Sequence, residues 1–210
     1  MEPQVPFNDD IDVRIATIGN VDAGKSTIVG VLTQDKLDDG RGSVRQTVFN
    51  FKQELDSGRT SSIGQQIMGF DKDNKQVVLK HARKDKNENW GNIVMNSQKI
   101  VTFIDLCGHE KYLKTTMFGL QGLLPDYSMI LIGANMGLSK MTKEHIGICL
   151  ATGIPFFVIF TKIDIAPEQV FEKNVNLLTR ILSSAAAAKK PFLIKNDDEN
   201  LDLAKHAQEM

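Results

Sequence analysis

Four short segments carry side chains whose types and spacing suit phosphate and purine chemistry. The first, Gly19-Asn-Val-Asp-Ala-Gly24-Lys25-Ser26, fits the pattern G-x-x-x-x-G-K-[ST]. Glycines in such a loop let the backbone curl until successive N–H groups face a phosphate, and the helix that follows adds its positive end. Asp22, Ala23, Gly24, Lys25, Ser26 and Thr27 are therefore the candidate phosphate cradle, with Lys25 a point charge for the β and γ phosphates and Ser26 a hydroxyl ligand for Mg²⁺. The second segment is Asp105-Leu-Cys-Gly108-His109, at the end of an apolar run. A carboxylate at a strand's carboxyl end, in the crevice beside a phosphate loop, can hold Mg²⁺ through water, which is the role expected of Asp105. The Gly108 N–H is then free to approach a γ-phosphate, and His109 is close enough to orient or polarise a water. Lys25 and His109 are the expected catalytic residues.

The third segment is Thr161-Lys162-Ile163-Asp164. Guanine presents N1–H and N2–H₂ as adjacent donors, which one carboxylate accepts together, whereas adenine has an acceptor at N1. Asp164 is expected to select the base, Lys162 to lay its methylene stem over the ring, and Thr161 to complete the site. The fourth is Ser57-Gly-Arg-Thr60-Ser-Ser, between the phosphate loop and Asp105. A hydroxyl there completes a Mg²⁺ shell when a γ-phosphate orders the loop, and Thr60 is the candidate. The expected metal set is Ser26, Thr60 and Asp105.

These segments must be held by a scaffold, and the hydrophobic pattern supplies one. Strands are expected at residues 13–19, 99–106, 127–134 and 155–161, and helices at 27–32, 111–120, 142–152 and 167–183. Strands alternating with helices imply a doubly wound α/β domain, a mostly parallel sheet with helices on both faces. Thr142 is the expected cap of its helix, Gly153 and Pro155 its stop, and Pro167 a first-turn proline. Apolar residues at Val44, Val48, Phe51 and Leu55 predict one continuous helix over 43–55. Phe171, Val175, Leu178 and Ile181 or Leu182 stripe the last helix. Residues 71–92 mix charged and polar residues around a short apolar run and suggest a hairpin or surface insert. Residues 1–12 are expected to be a flexible arm, and 13–210 the domain itself.

Composition limits the alternatives. A chain of 210 residues, 41% hydrophobic and 24% charged, suffices for one sizeable core. Lys and Arg number 25 against 26 Asp and Glu, so no global basic field draws nucleic acid. Apolar runs such as residues 156–160 fall far short of the roughly 20 residues needed to span a bilayer, and residues 1–13 lack the apolar core of a signal peptide. A cytoplasmic location without a membrane partner is expected. Cys107 and Cys149 lack metal-ligand spacing and are expected to be buried, reduced thiols.

Together the motifs resemble the translational GTPases, the family of elongation factors Tu and one alpha, from Val13 to about Lys195. The similarity is strongest to the elongation-factor-like subgroup of GTP-binding proteins one and two. It is carried by the segment 19–27, by Gly40-Arg-Gly42, by Ser57-Gly-Arg-Thr-Ser-Ser62, by the run 103–116 and by Met141-Thr-Lys-Glu-His145. The resemblance implies a P-loop fold, Mg²⁺-dependent GTP hydrolysis that is slow in isolation, and His109 as the water-positioning residue. It also implies GTP and GDP as ligands, a monovalent cation near Asp22, and ribosome or tRNA contacts in a full-length factor, this domain itself being monomeric. The sequence departs from the wider family at Asn20 (usually His), Thr161 (usually Asn) and Arg59 (usually Ile). The family's β-barrel domains are not expected within these residues. The guanine-closing loop is either formed by a strand at 191–195 with Asn196 following, or lies beyond the last residue. Two rival readings are an ATPase on the same loop and a nucleotide-binding switch or scaffold without useful hydrolysis.

Overall fold

The computed structural model describes residues 12–78 and 86–194. In chain order the elements are β1 (Asp12–Gly19), α1 (Lys25–Gln34), a 3₁₀ turn (Val44–Thr47), α2 (Lys52–Ser57), β2 (Gly64–Phe70), β3 (Gln76–Val77), α3 (Lys86–Asn96), β4 (Lys99–Asp105), α4 (Leu113–Gly122), β5 (Tyr127–Gly133), α5 (Lys140–Thr152), β6 (Phe156–Thr161) and α6 (Glu168–Leu182). The six strands form one mixed sheet in the order β3-β2-β4-β1-β5-β6. β4, β1, β5 and β6 run parallel, and β2 and β3 are antiparallel additions on the β4 side. The chain moves from β1 to β4 on one side, then crosses back to β5 and β6 on the other. Right-handed crossovers in opposite directions place α1 on one face and α4 and α5 on the other, the P-loop NTPase arrangement.

Register sets the site. Thr17 of β1 and Gly64 of β2 both lie opposite Asp105, and Gly19 lies opposite Leu131. The carboxyl ends of β1, β4, β5 and β6 thus share one edge of the sheet, at the point where the winding reverses. Beneath this edge a core of Ala23, Val29, Val48, Met68, Val101, Phe103, Met129 and Leu131 ties α1 to both halves of the sheet.

The chain divides into two compact units, Met1–Phe171 and Glu172–Met210. The first contains the whole sheet and all four motifs. The second starts within α6, where Leu178 and Leu182 are buried as the helical stripe predicts. It turns after the helix through bonds from the Ala188 and Lys189 N–H groups to the Ser184 and Leu182 carbonyls. Residues 191–194 form no strand, and Phe192, Leu193 and Ile194 are exposed, which removes the first part of the expected closing strand. The rest of that segment, with Lys195 and Asn196, lies outside the described residues, as do residues 1–11 of the expected arm 1–12, whose last residue, Asp12, opens β1.

Several local expectations are corrected. The helix over 43–55 is two short pieces: Val48 ends the 3₁₀ turn still in right-handed geometry, residues 49 and 50 belong to no helix, and Phe51 turns extended (φ −124°, ψ 147°) as the cap of α2. Val44 and Val48 are buried, whereas Phe51 and Leu55 face solvent, so the apolar stripe exists in sequence without a shared face. Residues 71–92 do begin as a hairpin, β2 to β3, in which the Asp71 carboxylate accepts the N–H groups of Asp73 and Lys75. The last residues of that segment already belong to α3, an element the polar composition conceals. Ser139, one turn before Thr142, caps α5 by accepting the Thr142 N–H at 3.1 Å, and Gly153 ends that helix at φ 70°. The carbonyl of Pro167 accepts the first bonds of α6.

Candidate functional site

The phosphate loop is shaped by backbone conformations that few residues tolerate. Gly19 has φ +148°, and a Cβ there would lie 2.4 Å from the Leu131 carbonyl oxygen, so only glycine fits between β1 and β5. Asp22 (φ 59°) and Gly24 (φ 85°) are left-handed, which curls residues 20–24 and opens α1 at Lys25. No acidic side chain in its first turn competes for the positive helix end. Lys25 is buried, and its ammonium donates to the carbonyls of Gly19 (3.1 Å) and Asn20 (2.9 Å). Burial lowers its pKa against the opposing pull of Asp105. A Cβ on Gly108 would lie 2.4 Å from the Lys25 ammonium and 2.5 Å from the Gly19 carbonyl, so the Asp105 segment packs directly on the phosphate loop.

The three expected metal ligands converge. Ser26 Oγ donates to Asp105 Oδ2 at 2.7 Å, Thr60 Oγ1 donates to the same oxygen at 3.1 Å, and the two hydroxyls are 2.8 Å apart. Thr17 fixes the far carboxylate oxygen at 3.3 Å. Asp105 is fully buried, and burial raises its pKa although Lys25 and the three hydroxyls oppose the rise. Two hydroxyl protons serve three short oxygen contacts, an electron-rich triangle. Its edges match the spacing of about 3.0 Å between neighbouring ligands of an octahedral Mg²⁺ with bonds of about 2.1 Å. The donors are all hard oxygens and number too few for a complete shell, which suits a Mg²⁺ that keeps waters and takes phosphate oxygens. Among the described residues no cluster of three His, Cys, Asp or Glu side chains could hold a metal instead.

What brings Thr60 to Asp105 is a residue that motif reasoning passes over. Glu54 of α2 is 1% exposed. Its Oε1 accepts the N–H and hydroxyl of Ser61 (2.7 and 3.0 Å) and of Ser62 (2.8 and 2.9 Å), while Oε2 accepts the N–H groups of Asn50 and Phe51 (3.0 and 3.3 Å). Burial alone would raise its pKa; the hydrogen bonds from Ser61, Asn50 and Ser62 outweigh it, so the carboxyl is held below its usual range. The same bonds stop the 3₁₀ segment from continuing into α2. The sequence signal was the cluster of hydroxyls at 57–62 with two carboxylates, Glu54 and Asp56, just upstream, of which Glu54 is picked out only once the loop is known to fold back. Cys107, directly after the Asp105 strand, donates its thiol to the Ser62 carbonyl at 3.4 Å, and burial pushes its pKa up to about 11. Both cysteines are free and buried, as expected.

A cavity of about 310 Å³ opens above the oxygen triangle, lined among others by Asp22, Gly24, Lys25, Ser26, Thr27, Thr60, Gly108 and His109. His109 is exposed, with extended backbone, and its Nδ1 accepts the Lys111 N–H at 3.1 Å. The neutral ring therefore carries its proton on Nε2, a donor suited to a water. Ala23 is buried beneath the cavity floor. Its carbonyl accepts the Thr161 hydroxyl at 2.8 Å, which ties the end of β6 to the phosphate loop. Thr161 thus bridges the two loops, a task read only from coordinates. Lys162 adopts a left-handed conformation (φ 58°, ψ 37°) and swings the chain into a 3₁₀ turn, Ile163–Ile165, on which Asp164 is exposed. Asp164 makes no hydrogen bond or ion pair among the described residues. The structure does not bring Thr161, Lys162 and Asp164 into the wall of the cavity lined by Lys25, Ser26 and Thr60.

A glycine-rich strand-to-helix loop, a triangle of hard oxygens and a strand-end loop on the edge of a doubly wound sheet define a P-loop NTPase fold. The chain belongs to the family of the elongation factor Tu GTP binding domain, whose model matches residues 12–204. It is 51% identical over 192 residues to GTP-binding protein 1 of Xenopus laevis, an alignment that covers 91% of this chain and 29% of that protein. It is 42% identical over 202 residues to GTP-binding protein 2 of Homo sapiens, covering 96% of this chain and 33% of the relative. The chain therefore spans about a third of the length of these relatives. A crystal structure of a bacterial selenocysteine-specific elongation factor shares the fold, with a TM-score of 0.62 at 19% identity over 94% of this chain and 29% of that one. Among the described residues no helix is long and apolar enough to cross a membrane.

Proposed function

We propose that this chain hydrolyses GTP with Mg²⁺, as the nucleotide-driven domain of a cytoplasmic factor acting in translation or mRNA surveillance. The observation that carries the proposal is the triangle of Ser26, Thr60 and Asp105 oxygens beside the Lys25 ammonium. In this proposal the backbone from Asp22 to Thr27 and the side chain of Lys25 hold the β and γ phosphates, and Ser26, Thr60 and Asp105 hold Mg²⁺. Bound there, Mg²⁺ neutralises charge that gathers on phosphoryl oxygens. The Gly108 N–H meets the γ-phosphate, and His109 directs a water through Nε2 toward the phosphorus. Asp164 accepts the two guanine donors, Lys162 covers the ring and Thr161 keeps that loop in register with Ala23. Little covalent chemistry falls to the protein, so rate depends on position and electrostatics, and a lone domain is slow. Ribosome or tRNA contacts belong to the longer factor of which such a domain is a part.

The test has two arms. Calorimetry with GDP, GTP and ATP in Mg²⁺ should show guanine binding and little for ATP; equal ATP affinity would refute the base assignment. Single-turnover release of γ-phosphate should then fall by about 10² or more in His109→Ala, with GDP affinity little changed. No release above the blank from the parent chain would leave a binding switch without catalysis.

A further inference from the structure

We propose that Arg45 and Arg59 form a second cationic arm of the phosphate site, borne by the loop between α1 and β2, which takes the γ-phosphate of a nucleoside triphosphate. The proposal rests on the nucleotide reading above and adds to it a means of telling triphosphate from diphosphate.

Both guanidinium-bearing residues line the same cavity as Lys25, Ser26, Thr60 and His109. The charged side chains on that wall, counting Lys111, are four cations against one carboxylate, Asp22. Neither Arg45 nor Arg59 has a carboxylate partner among the described residues, although Arg45 is half-buried. A half-buried guanidinium without a counter-charge marks a place where an anion belongs.

The loop is built around Arg45. Gly42 is left-handed at φ +83°, and a Cβ on it would fall 2.4 Å from the Arg45 Nε. Gly58 is left-handed at φ +64°, and its Cβ would fall 3.1 Å from a terminal guanidinium nitrogen. Any side chain at 42 would therefore evict the guanidinium, and one at 58 would crowd it. The approach to this slot is fixed in turn by Asp38, whose carboxylate accepts the N–H groups of Gly40, Gly42 and Val44 at 3.0, 3.0 and 3.2 Å. Asp39 accepts those of Arg41 and Ser43 at 2.9 and 3.3 Å. Two carboxylates and two left-handed glycines thus hold one arginine beside the cavity. The Gly40-Arg-Gly42 motif, to which the proposed hydrolysis assigns no role, is the turn that makes this slot.

Arg59 enters from the neighbouring position. It directly precedes Thr60, whose hydroxyl is fixed at 2.8 Å from Ser26 and 3.1 Å from Asp105. A residue next to that anchor is confined to the mouth of the phosphate cavity, however its own side chain turns. Guanidinium forks match phosphoryl oxygens in pairs, and an arginine supplied by the same chain stabilises the charge that gathers on the transferring group. Diphosphates lack the group these arginines would meet.

The experiment compares the parent chain with Arg59→Ala, Arg59→Lys, Arg45→Ala and, as a control outside the cavity, Arg41→Ala. Calorimetry measures GDP and a non-hydrolysable GTP analogue, each with Mg²⁺, and single-turnover assays measure γ-phosphate release. Arg59→Ala and Arg45→Ala should each weaken the analogue by roughly tenfold or more while GDP stays within about twofold, with Arg59→Lys intermediate because charge without the fork restores part of the effect. Arg41→Ala should match the parent. An unchanged ratio of analogue to GDP affinity in both alanine variants overturns the proposal, and so does an equal loss of both nucleotides. Unchanged ratios with lost binding of a single-stranded RNA would assign the arm to an RNA backbone and overturn it as well. A parent chain that binds neither nucleotide overturns the functional reading itself, whereas a parent that binds both with unaltered variant ratios overturns only this inference.

Discussion

The loop that carries Thr60 and the loop that presents Asp164 flank the same sheet edge and are held by opposite means. The first is folded around carboxylates: buried Glu54 gathers six donors, half-buried Asp38 three, and the loop's Thr60 hydroxyl closes on Asp105. The second is held by neutral bonds, the Thr161 hydroxyl to the Ala23 carbonyl and the Ala134 N–H to the Thr161 carbonyl, both at 2.8 Å, with Asp164 exposed and unpartnered among the described residues. Under the proposed function, the difference follows from what each would meet. A triphosphate with its metal concentrates charge in a small volume, so its receptor gains from groups fixed in place before binding. A purine base presents directional donors on a flat ring, which a single exposed carboxylate can read.

Four measurements would break or sharpen this contrast. The largest effect belongs to Glu54. Glu54→Ala strands the buried N–H groups of Ser61 and Ser62, at about 1–3 kcal/mol each, so Thr60 loses its position. Turnover should fall by roughly 10² or more and the segment 50–62 become protease-sensitive, while GDP affinity changes only slightly. Parent-like turnover would show that the carboxylate does not position Thr60.

Next comes acid sensitivity. His145 on α5 is fully buried, both ring nitrogens lack a hydrogen-bond partner among the described residues, and burial, then the nearby Lys25 charge, lowers its pKa from 6.5 to about 4. The unfolded chain therefore takes up a proton between pH 6.5 and 4 that the folded chain refuses, so stability is full above that window and lost as pH falls through it. The loss should reach roughly 3 kcal/mol at the acid end, and His145→Leu should flatten the slope in denaturant titrations at pH 4.5 and 7.5. An equally steep slope in the variant would move the acid sensitivity to Asp105 or another buried group.

The third measurement concerns the base. Asp164→Asn exchanges an acceptor for a donor, which suits xanthine and opposes guanine, so competition binding should shift by about tenfold or more toward xanthosine diphosphate. A variant that keeps the parent preference would remove Asp164 from base recognition. The smallest effect is that of Thr161→Val, which deletes one bond worth about 1 kcal/mol and should weaken GDP by roughly fivefold through the misplaced loop. A loss much larger than that would mean the base side is as tightly built as the phosphate side.

How far the sequence disclosed these two regions follows from the kind of interaction that makes each. The parallel strands and the phosphate loop were legible because branched apolar residues recur between glycine-marked turns, and because Gly19, Gly24 and Lys25 sit where a strand gives way to a helix. β2 was not, since Gly64-Gln-Gln-Ile-Met-Gly-Phe70 is covered on both faces and so lacks the alternation that announces a half-buried strand. α3 was concealed by its polarity: Ile93 is buried, and little else in its composition separates it from a loop. The expected helix over 43–55 failed because Glu54 takes up the N–H groups of Asn50 and Phe51, a capture that a pattern of apolar spacings does not register. Ser26, Thr60 and Asp105 could be named from types and order. That they meet within 3.1 Å depends on the antiparallel pairing of Gly64 with Asp105, which no local signal encodes.

One residue far from this chemistry acquires a meaning of its own. Gly30 lies inside α1, where alanine would be favoured by about 1 kcal/mol on helical grounds alone. A Cβ there would sit 2.6 Å from the carbonyl oxygen of Val44, the same oxygen that accepts the Gln34 amide at 2.9 Å. The helix and the 3₁₀ turn therefore touch backbone to backbone, like a cam against its follower. Enlarging residue 30 would leave the helix intact, and firmer in isolation, while pushing the turn and its arginine outward. An inherited change at this glycine would then look, in a cell, like the loss of an active-site residue in a protein that still folds.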